Sequence, residues 1–226
     1  MKLQHRSFSG KVFRPSPEVQ TDEDLGLFII STPWGARENA TKVISTIKEY
    51  LIALRSDTDS TSPFPRLTCL SANANNLRIA AMLANDELYR QENANEYLGG
   101  VELFAFSIAE RELSWIQLGH PNVFLRRPKR GLLPIGCHLD LPMDLSTEDT
   151  LLPPLPSAVM GLDASVNFLG GSFIPQSGDQ FIMVSRSSLP ENFFMVRDGS
   201  YDIPKMTKIL ADDNPEIAFW IGLLTL

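Results

Sequence analysis

The spacing of the apolar residues changes period at Gly99, and that change constrains the fold more than any other feature of the chain. Before it, Val43, Ile44, Ile47, Tyr50, Leu51 and Leu54 recur at helical spacing and predict an amphipathic helix over 38–54. Leu77, Ala80, Ala81, Leu83, Ala84 and Leu88 repeat the pattern and predict a second helix over 75–91. After it, VELFAFSI (101–108) and ELSWIQL (112–118) read as paired strands around the turn Ala109-Glu110-Arg111. Residues 123–127 read as a third strand, set off by Gly119-His120-Pro121-Asn122. Ahead of the helices, LGLFII (25–30) is bounded by Asp22-Glu23-Asp24 and Ser31-Thr32-Pro33 and predicts a buried strand. Strand character resumes over 165–174 and 180–184 around Ser177-Gly178-Asp179. A short helix is predicted over 206–210 and a buried closing strand over 217–224. Residues 57–65 and 139–156 are rich in Pro, Asp and Ser or Leu and read as loops. This order is an α+β layering, with helices covering the outsides of sheets.

Composition narrows the function classes. The 226 residues carry 20 Lys and Arg against 27 Asp and Glu, a net charge of -7. That argues against a nucleic-acid binder or a polybasic membrane binder, which needs excess cations to neutralise phosphates. No apolar run reaches the length that spans a bilayer. No apolar run follows Met1-Lys2-Leu3-Gln4-His5-Arg6 either, so no signal peptide is expected and a cytoplasmic location is. Cys69 and Cys137 lack the paired spacing of a zinc or redox site and are expected to be buried free thiols. A single domain over 1–226 is expected.

Five segments in order carry a resemblance. They are Arg14-Pro15-Ser16-Pro17-Glu18; Leu27 through Gly35, LFIISTPWG; Leu113 through Pro121, LSWIQLGHP; Ser177 through Ser185, SGDQFIMVS; and Asp212-Asp213-Asn214. They resemble the R-x-x-N-E-D, D-G-x-G, G-D-S or G-H-P, G-D-x-f-l-l-x-S and D-N motifs of the metal-dependent type 2C (PPM-class) protein phosphatases. The resemblance covers nearly the whole chain. It implies a four-layer α/β/β/α sandwich of two antiparallel sheets flanked by helices.

The resemblance also implies a chemistry. Two divalent cations, Mn²⁺ or Mg²⁺, prefer hard oxygen ligands, lower the pKa of a bridging water and clamp phosphoryl oxygens. It would place their carboxylates at four positions here. Glu18 retains the acid, but the adjacent position is Val19. Thr32 stands where the bridging Asp belongs, with Pro33 in place of the following Gly. Arg186 replaces the Asp of S-D-G, and Ser187 its Gly. Asp213 retains the acid.

A guanidinium stays charged at any ordinary pH. At about 4 Å and an effective dielectric of about 20, each unit-charge pair is worth roughly 4 kcal/mol. Two dications beside Arg186 would meet repulsion with too few anions to offset it. Arg186 therefore reads as an internal substitute for a metal, neutralising Asp213 and Glu18. The expectation is a pseudophosphatase that binds a protein partner, with no cofactor. The alternative is an active Mn/Mg-dependent serine/threonine phosphatase with an atypical metal site. A third reading is a small-molecule or phosphopeptide module using Arg186.

The remaining candidates have plainer readings. Glu18 and Asp213 could be surface acids. His120 reads as a turn residue rather than a general base, and His5 and His138 as exposed or packing residues. Trp34 reads as a plug over the degenerate site, against a simple apolar lid. Gly35 and Gly99-Gly100 read as tight backbone positions, since no phosphate-cradle pattern follows them. Arg126-Arg127-Pro128-Lys129-Arg130 reads as a solvated hairpin tip rather than a phosphopeptide patch.

Overall fold

A computed structural model describes residues 1–56, 63–128, 130–140, 142, 145, 150–196 and 201–226. Two compact units are formed, each from segments far apart in sequence. One comprises Pro17–Gly119 and Ala158–Pro175; the other comprises Met1–Ser16, His120–Ser157 and Gln176–Leu226.

The first unit is built on an antiparallel sheet in the order β2(Glu18–Asp22), β3(Leu27–Gly35), β4(Gly99–Ala109), β5(Glu112–Leu118), β8(Leu169–Phe173). Helices α1(Glu38–Ser56) and α2(Ala72–Glu87) lie on one face of it. Val43, Ile47, Leu51, Leu77, Ala80 and Ala84 pack there against Leu27, Ile29, Leu103, Ala105 and Ile116. The strand residues in that group alternate, because successive side chains of a strand point to opposite faces, and the intervening Phe28, Ile30, Phe104 and Phe106 are buried as well. Ser71 begins α2 by accepting a hydrogen bond from the Ala74 amide, which satisfies one of the open first-turn donors. That cap starts α2 three residues ahead of the expected boundary, and a π turn, Leu88–Glu92, carries it on.

The second unit is built on the order β1(Lys2–Phe8), β10(Phe219–Thr225), β9(Gln180–Val184), β6(Asn122–Arg126), β7(Leu132–Gly136), again antiparallel throughout. Two helices cover one face, α3(Glu191–Phe194) and α4(Ile203–Asp213). Ile203, Met206 and Leu210 pack with Phe193 on Phe124, Ile182, Val184, Phe219 and Ile221. Helix α4 is longer than the predicted 206–210: Asp202 caps it through the Lys205 amide and Pro204 lies in its first turn.

The fold is α+β with two five-stranded antiparallel sheets flanked by helices, as the sequence predicted; helix α3 went unpredicted. Three strands went unpredicted, namely β1, β2 and β7. All show mixed or mostly exposed residues, and all three are edge strands whose pairing, not their own apolar pattern, makes them strands. The loop predicted over 139–156 falls partly outside the described residues, as does that over 57–65. Among the described residues no helix is long and apolar enough to cross a membrane.

Candidate functional site

In the first unit, β3 delivers Ser31, Thr32, Pro33 and Trp34 at its C-terminal end. Register places Glu18 opposite Ser31 and Thr32 opposite Glu102. Neighbouring positions on a strand face opposite sides, so Glu18 and Thr32 do not share a face. The Glu18 carboxylate is taken by Arg37, whose Nε and terminal nitrogen both donate to Oε1. Glu18 is therefore neutralised by a residue 19 positions on in its own unit, which corrects the expectation that Arg186 serves it. This pair is largely solvent-exposed and is worth at most about 1 kcal/mol.

Thr32 is buried, and its neighbour across the ladder is a fully buried carboxylate, Glu102. The indole Nε1 of Trp34 donates to Glu102 Oε2 at 2.8 Å. Trp34 is thus held against Glu102, on the face that carries Thr32. Sequence reasoning missed Glu102, although a lone carboxylate inside the apolar run VELFAFSI was the available signal. At the mouth of the β3–β4 pair, Gly35 and Gly99 lie opposite each other with φ of +125° and +155°. A Cβ on Gly35 would stand 2.4 Å from the Leu98 carbonyl oxygen. These glycines are tight backbone positions, as expected.

In the second unit, Ser185, Arg186 and Ser187 follow directly on β9. Arg186 is only 3% exposed. One terminal nitrogen donates to the Leu210 carbonyl at 2.9 Å and the other forms a salt bridge with Asp213 Oδ2. Both partners belong to the last turn of α4. The guanidinium thus occupies the C-terminal end of a helix, where unpaired carbonyls and the helix dipole favour a cation.

Around that turn, His120 Nε2 lies 3.0 Å from Ser187 Oγ, which also accepts from the Asp140 amide at 2.6 Å. Asn122 Nδ2 donates to the Arg186 carbonyl, and Asn122 Oδ1 accepts from the His138 amide. His120 is a buried turn residue tied to the segment after β9. The His5 ring lies tilted against Trp220, whose indole Nε1 donates to His5 Nδ1 at 3.4 Å.

Another buried ion pair went unpredicted. Arg14 donates to Asp140 Oδ2 at 3.0 Å, with side chains 3% and 1% exposed. Arg14 stands in the R-x-x-N-E-D-like segment, but its partner lies 126 residues away, and no local pattern announces it.

The basic cluster lies in the β6–β7 hairpin connection with Pro128 and Arg130 exposed, as expected, but Arg127 grips the fully buried Asp179 with two hydrogen bonds, of 3.0 and 2.8 Å, which hold the guanidinium above its ordinary pKa range. Arg126 bonds Gln180 and lies over the Tyr201 ring at 5.4 Å; Lys129 lies outside the described residues. Cys69 and Cys137 are free, but exposed rather than buried, because both lie in irregular segments beside the elements instead of on a core face.

The residues present do not fit a pair of divalent cations. Thr32 offers a neutral hydroxyl, Glu18 is engaged by Arg37, and Asp213 by Arg186. Among the described residues, no three His, Cys, Asp or Glu side chains are grouped to hold a metal.

No family model and no curated protein matches the chain. Solved structures do. The PPM Ser-Thr phosphatase MsPP from Mycobacterium smegmatis superimposes with a TM-score of 0.65 at 12% identity, over 100% of this chain and 98% of that one. PppA of Pseudomonas aeruginosa, a regulatory component of a type VI secretion system, gives 0.64 at 14%, over 98% and 96%. The catalytic domain of the phosphatase PstP, in complex with two manganese ions, gives 0.61 at 13%, over 98% and 96%. The fold of this chain is that of the PPM-type serine/threonine phosphatases.

Proposed function

We propose that this chain, which carries the PPM-type phosphatase fold, is a pseudophosphatase that acts by binding a protein partner. The observation that carries the reading is the buried guanidinium of Arg186, clamped on Leu210 and Asp213 at the strand end where the phosphatase motif has a carboxylate. A cation fixed there by two partners repels a divalent ion and consumes the acid retained at Asp213. The hydroxyl of Thr32 and the Arg37-engaged Glu18 add to the same reading. For the partner, Phe13, Leu139 and Leu155 supply apolar surface, each at least 64% exposed.

The test is hydrolysis of p-nitrophenyl phosphate with Mn²⁺ or Mg²⁺, beside the manganese-bound PstP catalytic domain as positive control. No turnover above buffer is expected. Calorimetric titration with Mn²⁺ should likewise show no tight binding. Sub-millimolar Mn²⁺ affinity that is lost in Asp213→Ala would establish the opposite reading, an active phosphatase with an atypical metal site. Affinity capture from the native host, wild type against a Leu139→Ser/Leu155→Ser variant, addresses the partner.

A further inference from the structure

A second polar cluster lies in the first unit, toward the opposite end of β4 from Glu102. The C-terminal end of α1, the start of α2 and the β4–β5 turn border an open cavity of about 370 Å³ there. Arg55, Ser71, Asn73, Asn76, Glu110 and Glu112 line it. Arg55 donates to the Leu25 carbonyl at 2.8 Å, to Ser107 Oγ and to Asn73 Oδ1. All three partners are neutral, and burial pulls the guanidinium below its ordinary pKa.

Glu112 is the opposite case. Its Oε1 accepts from the hydroxyls of Ser114, at 2.6 Å, and Ser71, and no cation pairs with it among the described residues. Between the two charges, Asn73 donates to Ser114 Oγ and to the Ser107 carbonyl, so a neutral layer separates them. Glu110 adds an exposed carboxylate in the turn.

Among the described residues, one cavity therefore holds a cation without an anionic side chain and a carboxylate without a cationic one. Partly desolvated charges left this way are costly, and a ligand bearing both signs would satisfy both. One Arg against two Glu leaves an excess negative charge, which favours a ligand of net positive charge. The volume falls in the range of small-molecule sites.

The structure assigns this cavity to a cationic α-amino acid: its carboxylate on Arg55, its α-ammonium on Glu112 and its side-chain cation toward Glu110. The assignment is independent of the phosphatase reading and survives its failure.

The experiment is calorimetric titration of the full chain with L-lysine, L-glutamate, n-butylamine and butyrate. L-lysine is expected to bind at least about tenfold more tightly than the other three, since each lacks one complementary charge or carries the wrong one. Arg55→Gln and Glu112→Gln should each weaken L-lysine by about tenfold or more. Asn76→Trp leaves both charges in place and fills the cavity from the surface of α2. It should abolish binding with an unchanged circular dichroism spectrum. Any of three results overturns the assignment: no heat with L-lysine at about 10 mM, equal affinity for n-butylamine, or undiminished binding in Asn76→Trp.

Discussion

Arg186, just after β9, is salt-bridged to Asp213, the last residue of α4, while its other terminal nitrogen holds the Leu210 carbonyl one turn earlier. A single side chain thereby ties the segment after the central strand of a sheet to the end of the helix that covers it.

Removing that tie should be costly. Arg186→Met leaves Asp213 without its cation and the Leu210 carbonyl with the Asn214 amide alone. The expected loss is about 2 kcal/mol, or about 4–8 °C in Tm for a chain of this size. Adding Asp213→Asn should recover part of it, because the stranded carboxylate is removed. Thermal unfolding of the two variants checks this. An Arg186→Met protein as stable as wild type would show the pair to be inert.

Restoring carboxylates tests how deep the divergence from the phosphatase motif runs. Thr32→Asp with Arg186→Asp should bind more Mn²⁺ than wild type by calorimetry. Turnover is not expected to return, since Pro33 and Ser187 still replace glycines that let the backbone approach a ligand closely. A double variant that binds no more metal than wild type would place the cause beyond these two positions.

The Arg14–Asp140 pair is the more deeply buried of the two. Arg14→Met should cost about 3–5 kcal/mol, because a buried carboxylate loses its partner, and should lower Tm by roughly 10 °C. Arg14→Met with Asp140→Leu should be the more stable of the two variants, since paired apolar replacement removes both desolvation costs. Chemical denaturation of both proteins reads the difference directly.

Acid should loosen the β2 end of the first unit. Lys48 Nζ lies 2.6 Å from Asp22 Oδ2, and that hydrogen bond, with the Leu25 amide, holds the Asp22 carboxyl below its ordinary pKa. A folded-state pKa below the unfolded one contributes stability above the unfolded value and loses it as pH falls through the folded one. Stability of the wild type should therefore fall more steeply than that of Asp22→Asn below about pH 4. Parallel acid titrations of the two would reveal equal slopes if the contact contributes nothing.

Local pattern alone determined the elements with the strongest apolar spacing or runs. Helix α1 and strands β4, β5, β9 and β10 carry apolar periods that only one secondary structure can bury, and their expected spans lie within two residues of those found. The ends of α2 and α4 were harder to place, because Ser71 and Asp202 act as caps through single hydrogen bonds outside any apolar period.

At the candidate site, the substitutions at Thr32, Pro33, Arg186 and Ser187 could be read as departures from an ordered set of motifs, and the charge of Arg186 required an acid near it. Which acid it took was decided in three dimensions: α4 runs on to Asp213 and brings it to β9, while α1 begins beside Arg37 and hands that cation to Glu18. Edge strands β1 and β7, the 126-residue reach from Arg14 to Asp140 and the seating of Trp34 on Glu102 have the same origin. Sequence period reports how one segment meets water. Ladder partners and charge partners depend on which distant segments the closed chain brings within about 3 Å, and no local pattern encodes that distance.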